Sequence, residues 1–393
     1  MIDKYIRDNV HGDIHIKHEV VKEIIDSPEF QRLRRITQLG GGQFVFPGAN
    51  HTRFSHCIGV YHIVGKILAN EKVAAHFTDE EKLIVQLSGL LHDIGHGPFS
   101  HSFEALSKRN HEEYTVDFIL HETNINRILK KHQISPEEVA SVIQGKHPNK
   151  ILNLLISSQI DADRLDYLLR DSRSTGVDYA NLDLDWIIRN AEVVDNKLVF
   201  KIKTLNAIEH YLLGRYHMFT QIYNHKTSVA FDQTYKAWFQ RLKDLYQEKN
   251  YQFQNKRMLE VLQDFLNDKP CNLERYLVLD DYTMIDFIKT CTTETDAILQ
   301  DLATRIINRR FLGVSKYISQ KEWESLRNSQ NSLKQKYYFD TITKSKFSIY
   351  NEAITKKDEK IYILNQGVIK SIGEISDILK IAPKEADTYV FIK

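Results

Sequence analysis

The stretch Leu90-Leu91-His92-Asp93-Ile94-Gly95-His96-Gly97-Pro98 decides how this chain is read. It closes an apolar run. From Glu80 to Ile94, residues Leu83, Ile84, Leu87, Leu90, Leu91 and Ile94 recur at helical spacing and share one broad face. At the end of that run, His92 and Asp93 can offer an imidazole nitrogen and a carboxylate oxygen to one cation. Upstream, His56 to Leu68 repeats the pattern through Ile58, Tyr61, Val64, Gly65 and Leu68, with His56 opening the predicted helix. Downstream, Ile151 to Arg170 repeats it through Leu154, Leu155, Ile160, Leu165, Leu168 and Leu169, with Asp161 and Asp163 inside the predicted helix. A bundle of these three helices brings two imidazoles and two carboxylates together, as metal sites in bundle cores require. Such a set suits Mn, Fe, Zn or Mg and leaves coordination positions open, which hydrolysis needs.

The rest of the chain sets the frame. Of 393 residues, 53 are Lys or Arg and 52 Asp or Glu, for a net charge of +1, and 42% are hydrophobic. This balance excludes a disordered or collagen-like chain and argues against bulk electrostatic capture of nucleic acid. No apolar run approaches the ~20 residues that span a bilayer, and the N-terminal MIDKYIRDNV is too polar for a signal peptide. Three scattered cysteines, Cys57, Cys271 and Cys291, make no disulfide framework and point to a reducing, cytoplasmic setting. Helical periodicity dominates to about residue 240, with a hairpin at Val194–Phe200 and a long helical zone from about Leu205 to Leu245. Beyond it, Phe347–Tyr350, Ile361–Leu364 and Tyr389–Ile392 read as short strands. The expected fold is mostly α. It has a helical core over 1–240 and a smaller mixed α+β part over 241–393.

The order His56, His92-Asp93, Asp163 resembles the H…HD…D signature of HD-domain metal phosphohydrolases. The flanking residues narrow the resemblance. Gln38-Leu39-Gly40-Gly41-Gly42, Val45-Phe46-Pro47-Gly48-Ala49, Arg53-Phe54-Ser55-His56 and His92 through His101 look like the bacterial form of the deoxynucleoside triphosphate (dNTP) triphosphohydrolases. The resemblance covers about residues 4 to 230. It implies an HD-domain core and one divalent metal (Mn, Fe, Zn, Ni or Mg) on His56, His92, Asp93 and Asp163, with Mg accompanying the nucleotides. The implied reaction is hydrolysis of a dNTP to deoxynucleoside and inorganic triphosphate. His96, His101 and His111 would surround the scissile phosphate. His111, oriented by Glu104 or Glu112, would be the proton donor or the partner of water, since a carboxylate fixes the tautomer and raises the pKa of an imidazole. Arg53, Arg164 and Arg215 would hold phosphates. Gln38 and Asp171 would bind the sugar 3′ hydroxyl, Leu39 and Tyr223 would crowd the 2′ position, and Tyr167 would pack on the sugar.

The same resemblance implies a homotetramer activated by a guanine nucleotide, dGTP or GTP. Asp26, Gln31 and Arg34 would read the base, and Lys4, His225 and Lys226 the phosphates. Other readings of the residues are an HD-type nucleotidase or phosphodiesterase, and a single-stranded nucleic-acid binder using Arg32, Arg34 and Arg35 or Arg305, Arg309 and Arg310.

Overall fold

A computed structural model of the chain describes residues 3–248, 250–254, 256–315, 319–344, 349–352, 355, 359–380 and 387–392. The fold is mostly α, as the periodicity requires. Helix Asp79–Leu91 starts in a capping box, with the Thr78 hydroxyl and the Glu81 carboxylate each accepting the other's backbone N–H. It ends just before His92, so Ile94 lies in the turn beyond it. Helix Arg53–Leu68 packs between Asp79–Leu91 and Ala162–Thr175. It begins three residues before His56, which therefore sits in its first turn.

The expected single helix over Ile151–Arg170 is in fact two. Lys150–Ile156 ends, the chain turns, and Ala162–Thr175 begins. Asp161 causes the restart. It is the N-cap, and its carboxylate accepts the backbone N–H bonds of Arg164 (2.7 Å) and Ser158 (2.7 Å). Asp163 thus stands in the first turn of a new helix. The zone after Leu205 is likewise two helices, Leu205–Met218 and Lys226–Gln247, joined through a π-helical turn at Phe219–Tyr223.

Gly59 permits a close approach between helices Arg53–Leu68 and Ala162–Thr175. A Cβ there would lie 1.9 Å from Asp166 Oδ1 and 2.5 Å from Arg170 Nη2. Gly59→Ala is therefore expected to destabilise the protein by ~2–3 kcal/mol, as overpacking does. Denaturant unfolding checks this, and an unchanged midpoint would mean that the two helices can part at no cost.

The hairpin forms as expected, with Ala191–Val194 antiparallel to Lys197–Lys201. Asp195 and Asn196 fill its two-residue turn at φ +50° and +55°. The C-terminal strands Tyr362–Asn365 and Val368–Ser371 extend this sheet, the first parallel to Lys197–Lys201. Strand Asp387–Ile392 lies between Gly313–Ser315 and Asp340–Lys344 in a second sheet. Thus two of the three expected C-terminal strands form. In the third, Phe347 and Ser348 lie outside the described residues, while Ile349 and Tyr350 are not in a strand. No described helix is long and apolar enough to cross a membrane.

Candidate active site

Two helices and the turn after a third deliver the candidate metal donors, His56 and Asp163 from helices and His92 and Asp93 from the turn. His56 Nε2 lies 3.0 Å from Asp163 Oδ1, 3.2 Å from His92 Nε2 and 3.6 Å from Asp93 Oδ2. His92 Nε2 is 3.5 Å from both Asp93 Oδ1 and Asp163 Oδ1. These separations match the ~3.0–3.5 Å edges of a polyhedron with bonds of ~2.1 Å.

The hydrogen bonds behind the two imidazoles suit a cation in front of them. His92 Nδ1 meets the Gly89 carbonyl at 2.9 Å, so it carries the hydrogen. His56 Nδ1 likewise faces Asp166 Oδ2 at 2.8 Å. Both Nε2 lone pairs therefore converge with two carboxylates, an arrangement of acceptors that a divalent ion satisfies. Where no cation is bound, a proton takes its place on His56 Nε2: burial opposes charging this imidazole, yet its bonds to Asp163 and Asp166 push its pKa up to about 10. Against the opposing cost of burial, His56 and His92 hold the Asp163 carboxyl below its ordinary range.

A second cluster adjoins the first. His111 Nδ1 binds Glu104 Oε1 at 2.5 Å, so Glu104 is the orienting carboxylate. Glu112 lines the cavity and is exposed. The His96 ring stacks on His111 at 3.8 Å between centroids, 12° from parallel. His96 Nε2 and His111 Nε2 lie 3.4 and 3.7 Å from Asp93 Oδ1, so Asp93 joins the two clusters. Burial, followed by Arg53 and His111, holds His96 neutral, well below the ordinary imidazole pKa. The His101 side chain is 66% exposed and also reaches Glu104, at 3.2 Å. His96, His101, Glu104 and His111 also have metal-ligand spacing.

The clusters open into a cavity of about 750 Å³ whose lining includes Gln38, Leu39, Tyr167, Asp171 and Tyr223 as well as Arg53, Arg164 and Arg215. Asp171 is shared, with Tyr223 donating to Oδ2 at 2.8 Å and His51 Nε2 facing Oδ1 at 2.7 Å. Gln38 Oε1 is buried with no hydrogen-bond partner among the described residues, an acceptor aimed at something else. The three arginines differ. Arg53 is buried and already bound to Asp93, Ser100 Oγ and the Gln38 carbonyl. Arg164 uses its Nε on the Ser158 carbonyl and Asp161. Arg215 touches Gln159 Oε1 at 2.9 Å.

Four of the six regulatory candidates lie in the N-terminal segment. Lys4 pairs loosely with Asp26 at 3.9 Å, and Arg34 Nε donates to Gln31 Oε1 at 2.9 Å while its guanidinium covers the Phe54 ring at 3.5 Å. His225 and Lys226 stand at the start of Lys226–Gln247, where His225 is the N-cap and packs on Phe46.

Sequence reading missed the support behind His56. Asp166 binds His56, His11 (2.6 Å) and Arg170, and Arg170 reaches on to Asp8. The spacing of Asp163, Asp166 and Arg170 on one helix was a usable signal for part of this. Nothing in the sequence pattern marked His11 or Asp8, which arrive on the N-terminal hairpin Lys4–Asp8 and Gly12–Ile16. His51 was missed for the same reason.

The chain is similar to known proteins over most of its length. Residues 53–171 match the HD domain model and residues 182–252 the HD associated region. The chain is 34% identical over 388 residues to the uncharacterized protein YwfO of Bacillus subtilis, covering 96% of this chain and 89% of that one. It is 28% identical over 394 residues to human deoxynucleoside triphosphate triphosphohydrolase SAMHD1, covering 87% of this chain and 61% of that one. A crystal structure of a phosphohydrolase from Bacteroides thetaiotaomicron superposes with a TM-score of 0.87 at 31% identity, over the full length of both chains.

Proposed function

This chain belongs to the HD-domain family that includes the SAMHD1 triphosphohydrolases, and we propose that it hydrolyses dNTPs to deoxynucleoside and inorganic triphosphate. The HD domain, the SAMHD1 relatives and the similar phosphohydrolase structure support the coarser activity, metal-dependent HD phosphohydrolysis. One observation carries the finer reading. The cavity beside the candidate metal donors is lined by Gln38, Leu39, Asp171 and Tyr223 together with Arg53, Arg164 and Arg215.

When bound, the metal supplies a Lewis acid that polarises a phosphate oxygen and lowers the pKa of water. The chain does the rest. The 3′ hydroxyl donates to Asp171, held by His51 and Tyr223, and its oxygen accepts from the Gln38 amide. Leu39 and the Tyr223 ring fill the space a 2′ hydroxyl would need. Arg164 and Arg215 neutralise the phosphates. Water attacks the α-phosphorus and the bond to O5′ breaks. With Nδ1 tied to Glu104, His111 presents Nε2 to the reacting atoms and gives its proton to the departing O5′.

Activation by a guanine nucleotide within a homotetramer completes the proposal, with the 241–393 part supporting assembly. The stack of Arg34 on Phe54 supports it, because Phe54 lies two residues from His56 and so joins the base-reading segment to the metal helix. Binding that favours one arrangement of this segment would shift the enzyme between states.

The test is product identity. Metal-loaded protein is incubated with dTTP, with and without dGTP, and the products are separated by ion exchange. Deoxythymidine and intact triphosphate, formed mainly with dGTP, are expected. Triphosphate formed equally without dGTP would remove the activation, and release of phosphate or pyrophosphate would remove the dNTP triphosphohydrolase reading.

A further inference from the structure

We propose that Asp281, beyond both matched family regions, is a positioning residue that holds the two lips of the active site together. It opens helix Asp281–Cys291 and is buried. Its Oδ1 accepts the Phe99 backbone N–H at 2.6 Å. Its Oδ2 accepts both the backbone N–H of Thr37 (2.9 Å) and the Thr37 hydroxyl (2.7 Å). Thr37 directly precedes Gln38 and Leu39, and Phe99 lies between His96 and His101. One carboxylate therefore ties the sugar wall to the histidine cluster.

The turn it holds is strained. Phe99 and Ser100 have φ of +58° and +55°, and Ser100 has ψ of −120°. Each such residue costs ~1–3 kcal/mol and persists only where its surroundings over-determine it. The Asp281 bond to Phe99 is one of these constraints. A second is Ser100 Oγ, which donates to the Thr37 carbonyl at 2.6 Å and accepts from Arg53 Nε at 3.0 Å. Arg53 in turn binds Asp93. The path from Asp281 to a metal donor is thus Thr37, Ser100, Arg53, Asp93, each link a hydrogen bond or ion pair.

Asp281→Asn separates the two lips. An amide oxygen at the Oδ2 position keeps both Thr37 bonds, while the amide nitrogen then faces the Phe99 N–H, donor against donor. The proposal rests on the hydrolase reading for its kinetic arm only. With Mn-loaded protein and dTTP plus dGTP, kcat is expected to fall about 10- to 100-fold, by analogy with the loss of other groups that orient an active site. KM should change less than about threefold, and bound metal should match the wild type. Amide exchange read by mass spectrometry is expected to rise about tenfold or more in a peptide spanning residues 99–102, with helix Arg53–Leu68 unchanged. Asp280→Asn, which weakens the ion pair with Arg35 but leaves Asp281 alone, should keep wild-type kcat and exchange.

Wild-type exchange at 99–102 in Asp281→Asn would overturn the proposal, as would wild-type kcat. If wild-type protein fails to hydrolyse dTTP, the substrate reading falls while the exchange arm still decides the role of Asp281. Should Asp281→Asn not fold, Thr37→Val removes one bond from the same carboxylate. It is then expected to speed exchange at 99–102 several-fold, and no change would overturn the proposal equally.

Discussion

Asp93→Asn is expected to strip the bound metal and to lower phosphohydrolase turnover by ~10³ or more, the equivalent of ~4 kcal/mol of lost transition-state stabilisation. The side chain keeps its shape and loses only its charge, but that charge has three uses. It completes the donor set with His56 and His92. It neutralises buried Arg53. It also faces the Nε2 atoms of His96 and His111 from the same oxygen. Removing one partner of a buried ion pair costs about 3–5 kcal/mol, so a lower melting temperature is expected as well. Metal content by plasma mass spectrometry after reloading, beside a melting curve, separates the two effects. A variant that keeps stoichiometric metal and falls less than tenfold in rate would remove Asp93 from the ligand set.

The second large effect is expected at Glu104 and His111. His111→Gln should lower kcat by ~10²–10⁴, the usual range for a general acid. Glu104→Gln should cost a substantial part of the same factor, because an amide can donate to Nδ1 and so invert the tautomer that Glu104 imposes. The double variant should be little worse than His111→Gln alone, since residues that act as a unit are not additive. Metal content should stay at the wild-type value in all three, which distinguishes this cluster from the Asp93 set. Losses that multiply in the double variant would mean that Glu104 and His111 act separately.

Glu104 also sets an expectation for pH. Burial opposes its ionisation, but the imidazoles of His101 and His111 hold its carboxyl well below the ordinary 4.5. A depressed folded-state pKa gives stability that is present above pH 4.5 and lost as pH falls below it. Glu104 therefore stays ionised through the neutral range, and an acidic limb of the rate profile near pH 6 belongs to another group.

Much of the site was legible because it follows local patterning. The apolar periodicity of Glu80–Ile94 and of His56–Leu68 placed two donors on helices, and both helices form with small shifts at their ends. The third helix was misread because its apolar spacing runs on through Ser157–Asp161. The competing effect was capping, in which the Asp161 carboxylate satisfies backbone donors and restarts the helix. That restart brings Asp163 into reach of His56, so the misread boundary lies at a functional position.

Residue order and type by themselves determined the helical class and the hairpin at 191–201, since each depends on side chains a few positions apart; they also marked His56, His92, Asp93 and Asp163 as candidate donors. Tertiary structure alone decided which carboxylate serves His111, how His11, Asp166 and Arg170 brace His56, and that Asp281 reaches Phe99. These partners stand far apart in sequence, and a hydrogen bond depends on distances and angles that no periodicity encodes.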